Sequence, residues 1–168
     1  MPARHALWLV PADPVRKRLA ALIEELARAH ATAPFAPHVT VLSGLASEGL
    51  ADAAAALART SPPLEVTLTR VDGLPERYRA LFLEVEGVAL GATHARAAAS
   101  LGVRPDPEYR PHLSLLYGEL DEATKGAIAD RIGRQWNEAA RLDRLDVVKT
   151  EGDPESWVRW LSVPLGRG

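Results

Sequence analysis

Two hexapeptides carry the residues most able to do chemistry: Pro37-His38-Val39-Thr40-Val41-Leu42 and Pro111-His112-Leu113-Ser114-Leu115-Leu116. Each reads Pro, His, apolar, hydroxyl, apolar, apolar. On a strand, side chains two residues apart point the same way. His38 and Thr40 therefore share one face, and Val39 and Val41 share the other. His112 and Ser114 oppose Leu113 and Leu115 in the same manner. The apolar faces belong under a helix, and the imidazole and hydroxyl faces can line a cleft. Imidazole titrates near neutral pH, so two of them can act as base and acid in one displacement. Opening a cyclic phosphate with water needs such a pair. One group takes the water proton, and the other protonates the departing alkoxide across phosphorus. The phosphoryl oxygens need fixed donors, and Thr40 and Ser114 offer one hydroxyl per histidine. The two motifs are too alike to separate the roles by sequence. His112 as base and His38 as acid is the working expectation.

No other motif competes. The chain has no cysteine, which excludes disulfides, thiolate metal sites and cysteine nucleophiles. It has no Gly-rich phosphate loop and no nucleophile elbow. No His, Asp and Glu set has metal-ligand spacing, so neither a metal nor another cofactor is expected. His5, His30 and His94 lack a partner pattern, and His30 suits a helix C-terminus. Arg104 and Arg110 read as solvated loop charges.

With 168 residues and a formal net charge of -2, the chain suits one compact domain. That charge argues against gripping long nucleic acid by phosphate neutralisation, but a small phosphate ligand needs only local donors. The early apolar stretch Ala6–Val10 is too short for a signal-peptide core, and no segment approaches membrane-spanning length. A cytoplasmic monomer without membrane attachment is the default expectation.

The elements that must position the two motifs follow from periodicity. Ala6 to Val10 predicts a strand, and Asp13-Pro14 predicts a helix start with Asp13 as cap. Val15, Leu19, Leu22, Ile23 and Leu26 carry that helix to about His30. Val39 to Leu42 predicts a strand, and Ser47 to Arg59 a helix. Leu64–Val71 and Tyr78–Val85 predict an antiparallel pair. A helix from Gly87 to Leu101, an irregular stretch to Pro111 and a strand over Leu113–Tyr117 follow. A helix from Asp121 to Trp136 and strands over Leu142–Lys149 and Trp157–Val163 complete the chain. The pattern repeats weakly, over 13–85 and again over 87–163. This predicts an α+β fold of two intertwined, pseudo-symmetric lobes within a single 1–168 domain, with antiparallel sheets lining a central cleft and helices outside.

The two H-x-[ST]-apolar strands resemble those of the two-histidine (2H) phosphoesterases. His112-Leu-Ser-Leu-Leu-Tyr-Gly118, with Trp8 before Pro11, is most similar to the cyclic phosphodiesterase branch. The resemblance implies a bilobal fold with a central cleft. It also implies metal-independent hydrolysis of ADP-ribose cyclic phosphate or of nucleoside 2′,3′-cyclic phosphates, the latter giving 2′-phosphates. His38, Thr40, His112 and Ser114 match the catalytic pairs, and Tyr117 and Trp8 match aromatic substrate contacts. Strict alternation puts Tyr117 on the wrong face, unless the strand bulges or ends near Leu116. Trp157 and Trp160 receive no site role. The alternatives are a 2′-5′ RNA ligase or RNA-end-processing enzyme of the same superfamily, with RNA ends as partners, and a nucleotide-binding module without turnover.

Overall fold

A computed structural model describes residues 4–166. The two ends of the expected 1–168 domain, residues 1–3 and 167–168, lie outside the described residues. The elements are β1 (His5–Pro11), α1 (Val15–Ala29), β2 (Val39–Leu45), α2 (Leu50–Arg59), β3 (Leu64–Asp72) and β4 (Leu81–Glu86). They continue as α3 (Leu90–Ser100), β5 (His112–Leu116), α4 (Glu122–Ile132), β6 (Gln135–Lys149) and β7 (Val158–Pro164). Short 3-10 turns cover Arg77–Arg79 and Pro154–Ser156. After β1, the order helix, strand, helix, strand, strand occurs twice.

All strand pairings are antiparallel, in the order β1-β2-β5-β4-β3-β6-β7, and β1 also pairs with β6. The long strand β6 makes the two lobes one body. Its first half, from Gln135 to Leu142, pairs with β3. Its second half pairs with β1 and with β7. One lobe thus holds β2, β1, β6 and β7, and the other holds β5, β4, β3 and β6. Helix α1 packs against β5, while α2 and α3 pack against β6, β7 and β2. This is the bilobal α+β architecture that the paired motifs imply.

Strand alternation sorts the side chains. Leu7 and Leu9 of β1, Val39 and Val41 of β2 and Leu113 and Leu115 of β5 sit in the main core with Ile23 and Leu26 of α1. Ala6 and Trp8 of β1 and Val148 of β6 form a separate small cluster on the opposite face. Each buried Leu or Val contributes about 1.5–3 kcal/mol. A one-residue slip of β2 or β5 would turn several of these out of the apolar core and put a histidine and a hydroxyl into it. Core packing therefore holds the register that aims the motifs into the cleft.

Several boundaries differ from the sequence-based expectation, each for a local reason. Asp13 does not cap α1; its carboxylate binds the Arg16 guanidinium at 3.0 Å, and Pro14 occupies the cap position. Helix α2 starts at Leu50 after Gly49, not at Ser47, and α3 starts at Leu90 rather than Gly87. Tyr78 lies in a 3-10 turn, so β4 begins only at Leu81. Helix α4 has the expected Asp121 cap, which accepts from the Thr124 N–H at 2.7 Å. It ends at Ile132, because Gly133 takes φ 94° and turns the chain. Trp136 therefore lies on β6. Gln135 and Trp136, expected at the end of the helix, and the residues up to Arg141, expected as a connection, belong instead to the ladder with β3.

Candidate active site

β2 and β5 are paired at one position, Val39 opposite Leu113. Counting outward in antiparallel register sets His38 opposite Ser114 and Thr40 opposite His112. The two motifs thus form a compact quartet on the face away from the core. All four side chains line one cavity of about 410 Å³, together with Trp8, Tyr117, Tyr78, Trp157, Arg77 and Arg79. The structure brings all six sequence-predicted site residues together.

The two imidazoles are held in the same way. His38 Nδ1 lies 2.7 Å from the Ala36 carbonyl, and His112 Nδ1 lies 2.9 Å from the Arg110 carbonyl. A carbonyl only accepts, so each Nδ1 carries the hydrogen and donates it. Each Nε2 is then free to exchange a proton with a ligand. Trp8 stacks on His38 with ring centroids 3.5 Å apart and planes 8° apart, which fixes the imidazole plane. Phe82 meets His112 edge-on at 5.1 Å.

Burial pushes the His38 imidazole down from 6.5 to about 4, against the opposing pull of the Ala36 carbonyl, and His112 adds to the fall. Burial also lowers His112, and Arg79 and Arg110 lower it further, while the Arg110 carbonyl and Glu76 oppose them. The charge of His112 is thus felt at His38, as expected for groups sharing one small site.

Past Val39 the carbonyls of β2 find partners outside the β5 ladder. Tyr109 donates its phenol to the Thr40 carbonyl at 2.8 Å. His94, buried on α3, accepts the Asp106 N–H on Nε2 at 2.9 Å and so donates from Nδ1 to the Val41 carbonyl at 2.8 Å. Tyr109 and His94 stack at 4.1 Å. The irregular segment before His112 is thereby pinned to the strand that carries Thr40.

Tyr117 reaches the cavity because β5 stops at Leu116 and Gly118 adopts φ 139°. A side chain is strained at that φ, so glycine permits the turn. Tyr117 stacks on Phe35 at 3.9 Å and meets Trp157 at 5.9 Å. Burial raises its phenol above the ordinary range, so the hydroxyl remains a donor.

A family model described as the 2′-5′ RNA ligase superfamily matches residues 1–74 and 45–154. The chain belongs to that superfamily. This is the two-histidine phosphoesterase superfamily that the paired motifs resemble. The fold agrees with TT0787 of Thermus thermophilus, at TM-score 0.67, 16% identity and 98% coverage of each chain. It also matches E. coli LigT complexed with 3′-AMP, at TM-score 0.65 and 14% identity over 99% of this chain and 100% of that one. LigT complexed with NADP+ matches at TM-score 0.64 and 16% identity over 99% of both chains. No curated protein sequence matches.

Within this 2H frame the sequence reading missed several cavity residues. Arg77, Tyr78 and Arg79 sit on the 3-10 turn that was expected to start a strand. The run Glu-Arg-Tyr-Arg after Pro75 alternates basic and aromatic residues, a signal that could have marked it. Trp157, given no role by sequence, lines the cavity, whereas Trp160 is exposed. Arg110 does not face a ligand; it pairs with Asp72 at 3.0 Å and with Glu84. Among the described residues, no group of three His, Cys, Asp or Glu stands together to hold a metal. Among them too, no helix is long and apolar enough to cross a membrane.

The buried neutral His38 makes stability depend on pH. Its folded value of about 4 lies below the ordinary 6.5, so the unfolded chain binds the extra proton first. Stability therefore falls as pH drops through this window, by about 3 kcal/mol from His38 alone. Urea unfolding at a series of pH values should show that loss, and His38→Gln should lose less over the same range. Parallel curves for the two proteins would contradict it.

Proposed function

We propose that this protein is a phosphodiesterase that opens nucleoside 2′,3′-cyclic phosphates by a metal-independent two-histidine mechanism. The observation that carries the reading is the matched pair of Nδ1-anchored imidazoles, each with a hydroxyl neighbour, on one aromatic-walled cavity. The electrostatics favour His38, the more depressed imidazole, as the neutral base. This reverses the working expectation from the sequence. His38 Nε2 takes a proton from water as its oxygen attacks phosphorus. The bond from phosphorus to the ribose 3′ oxygen breaks, and His112 Nε2–H protonates that oxygen. The product is a 2′-phosphate with a free 3′-hydroxyl. Thr40 and Ser114 donate to the phosphoryl oxygens, and the Arg79 guanidinium beside His112 adds positive charge. Trp8, Tyr78, Tyr117 and Trp157 offer flat surfaces for a nucleoside. ADP-ribose 1″,2″-cyclic phosphate presents the same strained diester and is the second small substrate of this reading.

The matching family model favours one other reading, in which the same site processes 2′-5′ phosphodiesters at RNA ends. A single panel separates them. The protein is incubated with 2′,3′-cyclic nucleotides, ADP-ribose 1″,2″-cyclic phosphate and 2′-5′-linked dinucleotides, with and without excess chelator, and products are read by phosphorus NMR. The expected result is chelator-resistant opening of the cyclic phosphates to 2′-phosphates. Turnover of the 2′-5′ dinucleotides alone would move the assignment to RNA ends. Binding without turnover of any substrate would reduce the protein to a binding module.

Tyr109 is a positioning residue in this reading, since it touches the Thr40 backbone and not the ligand. Tyr109→Phe keeps the ring on His94 and deletes one hydrogen bond, worth about 1 kcal/mol. We expect kcat to fall by about 3- to 30-fold, because misplacement by a fraction of an ångström is felt in the transition state. KM should hold and Tm should move by only a few degrees. In a Thr40→Ala background the loss should shrink. An undiminished loss there would assign Tyr109 a purely structural role.

A further inference from the structure

A second groove, of about 490 Å³, lies across Trp8 and Trp157 from the catalytic cavity and shares both residues with it. One wall is Pro34-Phe35-Ala36, the segment leading to His38, and the other is Pro154, Glu155 and Trp157. Its floor is the cleft face of the β1–β6–β7 sheet. Thr40 lies opposite Trp8, Trp8 opposite Asp146, and Asp146 opposite Ser162. This row places Asp146 two strand spacings, about 10 Å, from the hydroxyl residue of the first motif. A span of that order separates a nucleotide's sugar-bound phosphate from the far edge of its base.

We propose that this groove reads the base of the substrate, and that it is built for guanine. The inference rests on the catalytic cavity holding the phosphate end of a nucleotide. Asp146 is only 5% exposed, yet it lines the groove. One carboxylate oxygen accepts from the Ser162 hydroxyl at 2.5 Å, and among the described residues no group donates to the other. Burial lifts the carboxyl above its ordinary range, against the Ser162 hydroxyl and Arg159, Arg144 and Arg16. The second carboxylate oxygen keeps access to the groove, where the donors of a ligand can take the place of water. Arg159 lines the same groove, so a guanidinium donor stands beside a carboxylate acceptor. Guanine presents the complementary edge: the O6 acceptor beside the N1–H and N2–H donors. Uracil and cytosine are too small to carry that edge so far from the phosphate, and adenine places an acceptor where guanine has N1–H. The aromatic and proline walls suit a stacked ring.

The test compares the four nucleoside 2′,3′-cyclic monophosphates. The protein is expected to favour the guanosine compound in kcat/KM by about 10-fold or more. Asp146→Asn, which keeps size and shape, should lower kcat/KM for that substrate by about 10- to 100-fold. It should change the uridine and cytidine values by less than about 3-fold. Arg159→Gln, at an exposed position, should also narrow the preference for guanosine. Tryptophan fluorescence titrations with 2′-GMP, 2′-AMP and 2′-UMP read base selectivity without turnover. If no cyclic phosphate is opened but 2′-GMP binds selectively and Asp146→Asn abolishes the selectivity, the base pocket stands and the catalytic reading fails. Equal losses on all four substrates in Asp146→Asn would overturn the base pocket, as would equal binding of the three nucleotides, whatever the turnover.

Discussion

His38→Ala and His112→Ala should each lower kcat/KM for a 2′,3′-cyclic nucleotide by about 10²- to 10⁴-fold. Base and acid act in one displacement, so losing either leaves the other with half a task. The double variant should lose less than the product of the single losses, because the pair works as a unit. His38→Ala also removes the ring that Trp8 covers, so circular dichroism should accompany the kinetics. The pH profile carries the assignment of roles. His38 loses its proton at about 4, and His112 titrates below its ordinary value. The productive free enzyme has His38 neutral and His112 protonated. That population shrinks as His112 gives up its proton, which it does below the ordinary imidazole value, so kcat/KM should fall as pH rises above 6.5. An anionic substrate between the rings raises both, and the profile of kcat should sit at higher pH. A substrate whose leaving group needs no proton separates the roles. With it, His112→Ala should lose much less than His38→Ala. Equal losses would sink the assignment, and full activity in either single variant would sink the mechanism.

Thr40→Ala and Ser114→Ala should each lower kcat by about 10- to 10³-fold. Each deletes one donor to the phosphoryl oxygens and leaves the histidines in place. The cost is smaller than for a histidine because the other hydroxyl and the Arg79 charge remain. The effect belongs in kcat more than in KM, since charge on those oxygens rises toward the transition state. Thr40→Ser should retain most activity, for the oxygen survives. Ser114→Thr should do worse, because Ser114 is buried and an added methyl must displace its neighbours. Rate constants from progress curves check the series, and binding of the 2′-phosphate product checks that the cavity persists. Wild-type kcat in Thr40→Ala and Ser114→Ala would remove the hydroxyls from the chemistry.

Much of the site was legible because its local geometry is short-range. The period-2 pattern within each motif places histidine and hydroxyl on one face, and the core residues between them enforce it. The α+β class and the recurring element order also follow from local periodicity. Element ends were less legible where one residue decides them. Gly133 ends α4, and cross-strand pairing to β3 extends β6 back to Gln135. Tyr117 could be placed only once the end of β5 and the φ of Gly118 were known.

The sequence by itself determined which four side chains share the non-core face of two strands and what proton chemistry such groups can do. Residue type and spacing along a strand suffice for that. The tertiary structure decided what surrounds them. Arg77, Arg79 and Trp157 sit in or beside short 3-10 turns between strands, and only the folded chain brings them to the cavity. The difference between His38 and His112 is likewise invisible in two near-identical motifs. It arises because the His38 ring is more deeply buried, under Trp8, and it persists although the Arg79 and Arg110 charges also lower His112. Proton affinity depends on the surrounding dielectric and charge, and these are properties of the folded chain.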